Sequence, residues 1–319
     1  MRRALALICL LLATACQEHK VAGPLVAEPT AGTTTTWTDG TVIHGTVTIP
    51  AGSTVRIADK AQLHADNGSK VVVLGTLLSD GEVRIGGADW DGIHVGSGGT
   101  MTARYLQLSG AGVASELGAG PVTLANSRIL DATHPFMIAT GTSVSMSKVT
   151  VESVRGASVV KGTLVADFLT YDKGGDTGIV QSGPASVMRL THAVLQGNGK
   201  FEGDMLNTSN AGELTVTDSV LQKNHCAFHV VGVHRMTLDK LSIHDNAYGF
   251  MAYGSDPAQT HRITDTDVFD NRDYGLYENP STVQGTVLVD GGFWGRNGRD
   301  IVQITGKIVR TNPAARVAD

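Results

Sequence analysis

The chain has little of what usually stabilises a protein of its length. It holds 3 cysteines in 319 residues, and Cys9 and Cys16 both sit in the first stretch of the sequence. Cys226 is left without an intramolecular partner, which excludes a disulfide framework. Aromatic residues are 5% and charged residues 17% of the chain, the latter below the usual quarter. No segment sustains a 3.6-residue apolar period, so helices are excluded as the connectors between strands. No basic run stands out and the net charge is −5, which excludes nucleic acid as a main partner. The one apolar run, residues 4–13, is too short for a membrane span of about 20 residues.

What the chain does have is a hydrophobic fraction of 41% and 39 glycines. That mixture suits short strands and many tight turns. The start reads Met1-Arg2-Arg3, then the apolar run, then Thr14-Ala15-Cys16: a basic start, a short apolar core and small residues before a cut, the parts of a secretory signal.

Leu12-Ala13-Thr14-Ala15-Cys16 resembles the lipobox of bacterial lipoproteins, with Ala13 where that family prefers Leu. The resemblance implies a signal peptide over residues 1–15, a lipidated Cys16, and a membrane partner through the lipid anchor. Gln17 stands where an Asp would signal retention in the inner membrane, so the resemblance implies the outer membrane of the cell envelope. Several acyl chains give stable anchoring where one does not. Residues 16–37, with Pro24, Pro29, Gly32 and a threonine run at 33–36, predict a flexible tether. The remaining domain is then 38–319.

Internal repeats decide the fold. LTVTDSVLQKN at 214–224, MTLDKLSIHDN at 236–246 and HRITDTDVFDN at 261–271 align without gaps. Asn198, Asn224, Asn246, Asn271 and Asn297 form one column, with steps of 26, 22, 25 and 26 residues. Eight residues before each unit's end lies an apolar column: Ala103, Leu124, Met146, Ala166, Leu190, Val216, Leu238, Ile263 and Val289. Two residues earlier a second column runs from Met101 to Val287, interrupted once by His261. Five residues after the anchor a third runs from Leu108 to Trp294. Apolar residues at alternate positions mean strands with one face buried. A repeat of 20–26 residues made of short strands without a helix describes one turn of a right-handed parallel β-helix, an all-β solenoid. The asparagines read as a structural ladder at a sharp corner, where Asn tolerates left-handed backbone and its amide can bond from coil to coil.

The segment Val47-Thr48-Ile49-Pro50-Ala51-Gly52, then Gly75-Thr76-Leu77, then Trp90-Asp91-Gly92-Ile93 resembles the opening of pectin-lyase-like β-helix repeat proteins. Those motifs build coils and specify no reaction. The enzymes of that fold use carboxylates and a base on an exposed sheet face, with calcium in the lyases. Asp239 is one outward carboxylate; Asp218, Lys240 and Asp265 follow on successive coils as a charge-alternating sheet face. Tyr253-Gly254-Ser255-Asp256-Pro257 resembles the Tyr-Gly-x-Asp-Pro-His motif of alginate epimerases, with Ala258 at the His position and His261 the nearest imidazole. The column alignment points His261 inward or puts it at the start of its strand. His225, His229, His234 and His244 read as scattered turn residues without metal-ligand spacing. Cys226 reads as a small buried side chain.

The catalytic candidates are thus Asp239, Tyr253, Asp256 and His261, and no metal site is read. No cofactor is implied, apart from calcium if the chain is a lyase. The function expected first is a non-catalytic surface module that binds polysaccharide or a protein partner. The alternatives are a carbohydrate-active enzyme (a lyase, hydrolase or uronate epimerase) and a structural envelope spacer.

Overall fold

The computed structural model describes residues 23–173, 177–197, 203–253, 260–278, 286–302 and 307–315. Among the described residues there is no helix; parallel strands stack into a single right-handed β-helix of about 11 turns. Each coil contributes to three ladders. The first runs from Thr34–Trp37 to Lys307–Thr311, the second from Val42–Ile43 to Trp294–Gly295, and the third from Thr46–Ile49 to Ile301–Val302. Coil-to-coil steps in the first ladder fall between 20 residues (Val144 to Leu164) and 26 residues (Met188 to Leu214).

The registers reproduce the sequence columns residue for residue. Ala103, Leu124, Met146, Ala166, Leu190, Val216, Leu238, Ile263 and Val289 are consecutive partners in the first ladder. Leu108, Ile129, Val151, Tyr171, Leu195, Leu221, Ile243, Val268 and Trp294 are consecutive partners in the second. All are buried. One coil cannot cover its own inner face; stacking at about 4.8 Å per coil does. Each fully buried Leu, Ile or Val then contributes roughly 1.5–3 kcal/mol.

Three features differ from the sequence expectations. The solenoid starts before residue 38: Thr34–Trp37 already pairs with Thr54–Ile57, and the indole of Trp37, 1% exposed, donates to Ala27 O. Val26 is buried, and Val26 N and Val42 N exchange bonds with Val42 O and Pro24 O. The stretch from residue 23 thus closes the first coil where a flexible tether was expected, because Trp37 and Val26 are apolar surface that the open end must cover. Asp218, Lys240 and Asp265 do not lie on a flat sheet face. They belong to a column of left-handed corner residues between the first and second ladders, with φ of 49°, 51° and 43°, and no ion pair links them among the described residues. At the next corner the left-handed residue is the one before each asparagine (Lys223, Asp245, Asp270 and Arg296), not the asparagine itself.

The asparagine side chains instead point into the corner. Asn224 Nδ2 donates to Asn246 Oδ1 at 3.0 Å, Asn246 Nδ2 to Asn271 Oδ1 at 3.0 Å, and Asn271 Nδ2 to Asn297 Oδ1 at 2.9 Å. Each accepting oxygen also takes the backbone N–H of the asparagine one coil earlier. The ladder therefore satisfies backbone groups that the bend takes out of strand pairing. Asn198 lies outside the described residues.

Candidate functional site

In two coils the third and first ladders merge. Asp204–Thr217 and Cys226–Asp239 are continuous strands bent at Asn210 and Gly232, which have φ of 48° and 73°. Their third-ladder halves carry an unusual outward face. Inward, Leu206, Phe228, Phe250 and Leu276 stack in register; beside them on the outward side stand Asn207, His229, Met251 and Tyr277. At the strand entries Tyr248 pairs with Tyr274. Four of the six tyrosines fall between residues 248 and 277, so a chain poor in aromatics concentrates them here.

The Tyr-Gly pairs at 248–249 and 274–275 both open strands. A Cβ on Gly249 would sit 2.6 Å from Gly275 O, so glycine is needed for the coils to close up. That packing stacks Tyr248 on Tyr274 with centroids 5.4 Å apart and 18° between planes. Tyr277 meets Tyr248 edge-on at 6.5 Å, and His225 meets Tyr248 edge-on at 5.2 Å. The guanidinium of Arg299 lies 5.5 Å from the Tyr274 centroid.

Asp204 is the centre of the face. His229 Nδ1 donates to Asp204 Oδ2 at 2.5 Å, Asn207 Nδ2 donates to the same oxygen at 3.1 Å, and His225 Nδ1 lies 3.6 Å from Asp204 Oδ1. Burial alone would raise the Asp204 pKa; the bond and charge of His229, with bonds from Asn207 and His225, outweigh it and hold the carboxyl below its ordinary value. Asp204 therefore acts as a carboxylate acceptor, which fixes the proton of neutral His229 on Nδ1 and makes Nε2 the basic nitrogen. Burial, then the neighbouring Asp273 carboxylate, raises the Tyr248 pKa, so its hydroxyl stays a proton donor. Arg272 is paired with Asp273 at 2.7 Å and is coupled electrostatically to Tyr248. An oriented imidazole that is a quarter exposed, with a phenol and a guanidinium nearby, supplies the parts of an acid–base site for a carboxylate-bearing substrate.

The sequence candidates fall elsewhere. Asp239 ends a first-ladder strand and accepts from Thr264 Oγ1 at 2.5 Å. His261 is 4% exposed and faces inward in the first ladder beside Val287, with neither ring nitrogen bonded; burial lowers its pKa to about 4. It cannot meet a substrate. Tyr253 ends a third-ladder strand in register with Val231, so its backbone belongs to the new face. Asp256 and Cys16 lie outside the described residues. His225 and His229 are drawn together on Asp204 instead of being scattered in turns; His244 bonds its own neighbour Asp245. Among the described residues no group of three or more His, Cys, Asp or Glu side chains could hold a metal ion.

No protein-family model matches the sequence, and no curated protein matches it significantly. Solved structures do match. A double mutant of the periplasmic alginate epimerase AlgG superposes with a TM-score of 0.65 at 11% identity, over 93% of this chain and 82% of that one. A single mutant of the same enzyme gives a TM-score of 0.62 at 10% identity, over 91% and 80%. At that identity the likeness is one of fold: the chain is a parallel β-helix, as that enzyme is.

Proposed function

We propose that this chain is an envelope-located, carbohydrate-active protein that abstracts a proton from a uronate sugar of an anionic polysaccharide, as an epimerase or a lyase. The observation that carries this reading is the Asp204–His229 pair on the outward side of a strand row flanked by tyrosines. The C5 hydrogen of a uronate is acidified by the adjacent carboxyl group, and removing it needs a base together with neutralisation of the carboxylate. His229 Nε2 supplies the base, with Asp204 stabilising the imidazolium that forms. Arg272 and Arg299 border the face and supply positive charge for the substrate carboxylate. Tyr248 keeps its proton and can return one to the carbanion, which gives the C5 epimer. Departure of the group on C4 instead would give an unsaturated sugar. The alginate epimerases of the same architecture favour this reading over a purely binding module or a spacer. Lipidation of Cys16 and an outer-membrane anchor belong to the same proposal and rest on residues 12–17 alone.

The test is incubation of the purified protein with polymannuronate, polyguluronate and polygalacturonate, with and without calcium. Epimer ratios are read by NMR and unsaturated ends by ultraviolet absorbance. The expected result is turnover on one polymer, reduced by about 10²–10⁴-fold in His229→Gln and less in Asp204→Asn. Polymer binding without turnover would make the chain a binding module, and absence of both would leave an envelope spacer.

A further inference from the structure

The outward row that holds His229 continues down the third ladder through Asn207, Val180, Val159, Met137 and Ala114 to His94. Six coil steps of about 4.8 Å put His94 roughly 29 Å from His229. Around His94 the solenoid surface is notched. The corner loops into the third ladder alternate in length: residues 87–91, then the shorter 110–112, then 131–135, then 155–157. The short Gly110-Ala111-Gly112 corner lies recessed between two longer ones. Its glycines permit the recess, since a Cβ on Gly112 would come within 2.2 Å of both His134 O and Pro135 O. The result is a cleft of about 330 Å³, at the lower end of the range for small-ligand sites.

The walls are furnished for hydrogen bonding on one side and apolar contact on the other. His134 Nδ1 bonds Ala157 O at 2.8 Å. A carbonyl only accepts, so the proton is on Nδ1 and Nε2 is left as an acceptor. Asp91 adds an exposed carboxylate, and Met137, 36% exposed, offers an apolar surface beside the buried Trp90. His94 is held rigid between Glu116 Oε1 at 2.8 Å and Asp91 O at 3.1 Å. Arg155 crosses the notch from a later coil: its Nη1 meets Asp89 Oδ1 at 3.2 Å while Nε donates to Asp131 O at 3.1 Å. Both partners of that strap are more than half exposed, so the ion pair is weak and can open for a ligand.

We propose that this cleft is a second saccharide-binding site, for an uncharged pyranose unit. Acceptors on Asp91 and His134, donors on Arg155, and an apolar platform at Met137 match the hydroxyl edges and C–H face of a sugar ring. Asp89 and Asp91 line the cleft with a single guanidinium, that of Arg155, and Glu116 adds a carboxylate behind His94; that excess of negative charge repels a uronate. The site is therefore chemically distinct from the Asp204–His229 face and does not depend on its activity. A protein carrying both would hold a neutral glycan at one end of a single face and an anionic polymer at the other.

The experiment is titration of the purified chain with cellohexaose, mannohexaose and chitohexaose, followed by calorimetry and ligand-observed NMR, with hexaguluronate as the charged probe. One neutral oligomer is expected to saturate. Its dissociation constant should rise at least tenfold in Asp91→Asn/His134→Ala and stay unchanged in His229→Gln. Both cleft residues are exposed, and an unchanged thermal midpoint will show that the double variant folds; Asp91→Asn alone gives a second, isosteric check. Saturation by none of the neutral oligomers, binding that survives the double variant, or equal competition by hexaguluronate at the cleft would each overturn the proposal. Loss of uronate turnover in His229→Gln with cleft binding intact separates this claim from that of the preceding section.

Discussion

The early and late coils share inward columns and corner geometry but not corner chemistry. At the corner into the third ladder the left-handed residue is Gly110, Asp131 and Ser153 in early coils, and Lys223, Asp245, Asp270 and Arg296 in late ones. The next position is Ala111, Ala132 and Val154 early, all buried and apolar, and Asn224, Asn246, Asn271 and Asn297 late. One backbone bend is thus filled in two ways, by a dry methyl column or by a bonded amide column. The amide column lies directly before the strands that carry His229, Tyr248 and Tyr277. Bonds that run from coil to coil favour one arrangement, and Asn224 Oδ1, at the early end of the described column, is its one oxygen left without a partner. The late coils therefore have a bonded corner where an acid–base pair must be held, while the early coils fill the bend with apolar side chains, and the recessed 110–112 corner among them leaves a notch.

The sharpest way to break this comparison is to swap the two fillings. Asn246→Leu leaves Asn224 N, Leu221 O and His244 O without their bonds and should cost about 3 kcal/mol in chemical denaturation. Ala132→Asn places an amide among apolar neighbours and should cost about 2 kcal/mol. A neutral result for either would mean that the corner tolerates both chemistries anywhere.

His261 tests the same contrast within the first ladder, as the one polar member of an otherwise apolar column. Its pKa is lowered to about 4 by burial, whereas the unfolded chain titrates near 6.5. Stability is then full above pH 6.5 and falls as the pH drops towards 4, because the unfolded state takes up a proton that the folded state refuses. His261→Leu should remove that slope between pH 6.5 and 4 and raise the midpoint at pH 5. A slope that persists would assign it to other groups. The smallest effect is expected at the surface: Arg296→Ala breaks an exposed pair with Asp270, and should change stability by less than about 1 kcal/mol, as should Arg128→Ala against Glu152.

The fold was legible in the sequence because two ladders have nearly constant spacing, so a column of apolar residues can be read without coordinates. The third ladder was not, because the loops that lead into it vary in length and displace its register from coil to coil. That is where the site lies. Aligning Leu206-Asn207, Phe228-His229, Phe250-Met251 and Leu276-Tyr277 as inward–outward pairs would have put His229 in the row that ends at Tyr277. Asp204 would still have been missed, since its bond to His229 joins residues 25 positions apart across adjacent coils. His261 shows the limit of the motif near residue 256: the nearest imidazole to it is buried in the first ladder, away from the face that carries His229.

The most direct test of the central claim is solvent isotope exchange. Each polyuronate is incubated with the protein in deuterated water, and deuterium at C5 is read by NMR. The account predicts incorporation into one polymer by the native chain and none above background in His229→Gln. Incorporation at the same rate in both proteins would contradict the assignment of His229 as the base, and incorporation in neither would contradict proton abstraction at this face.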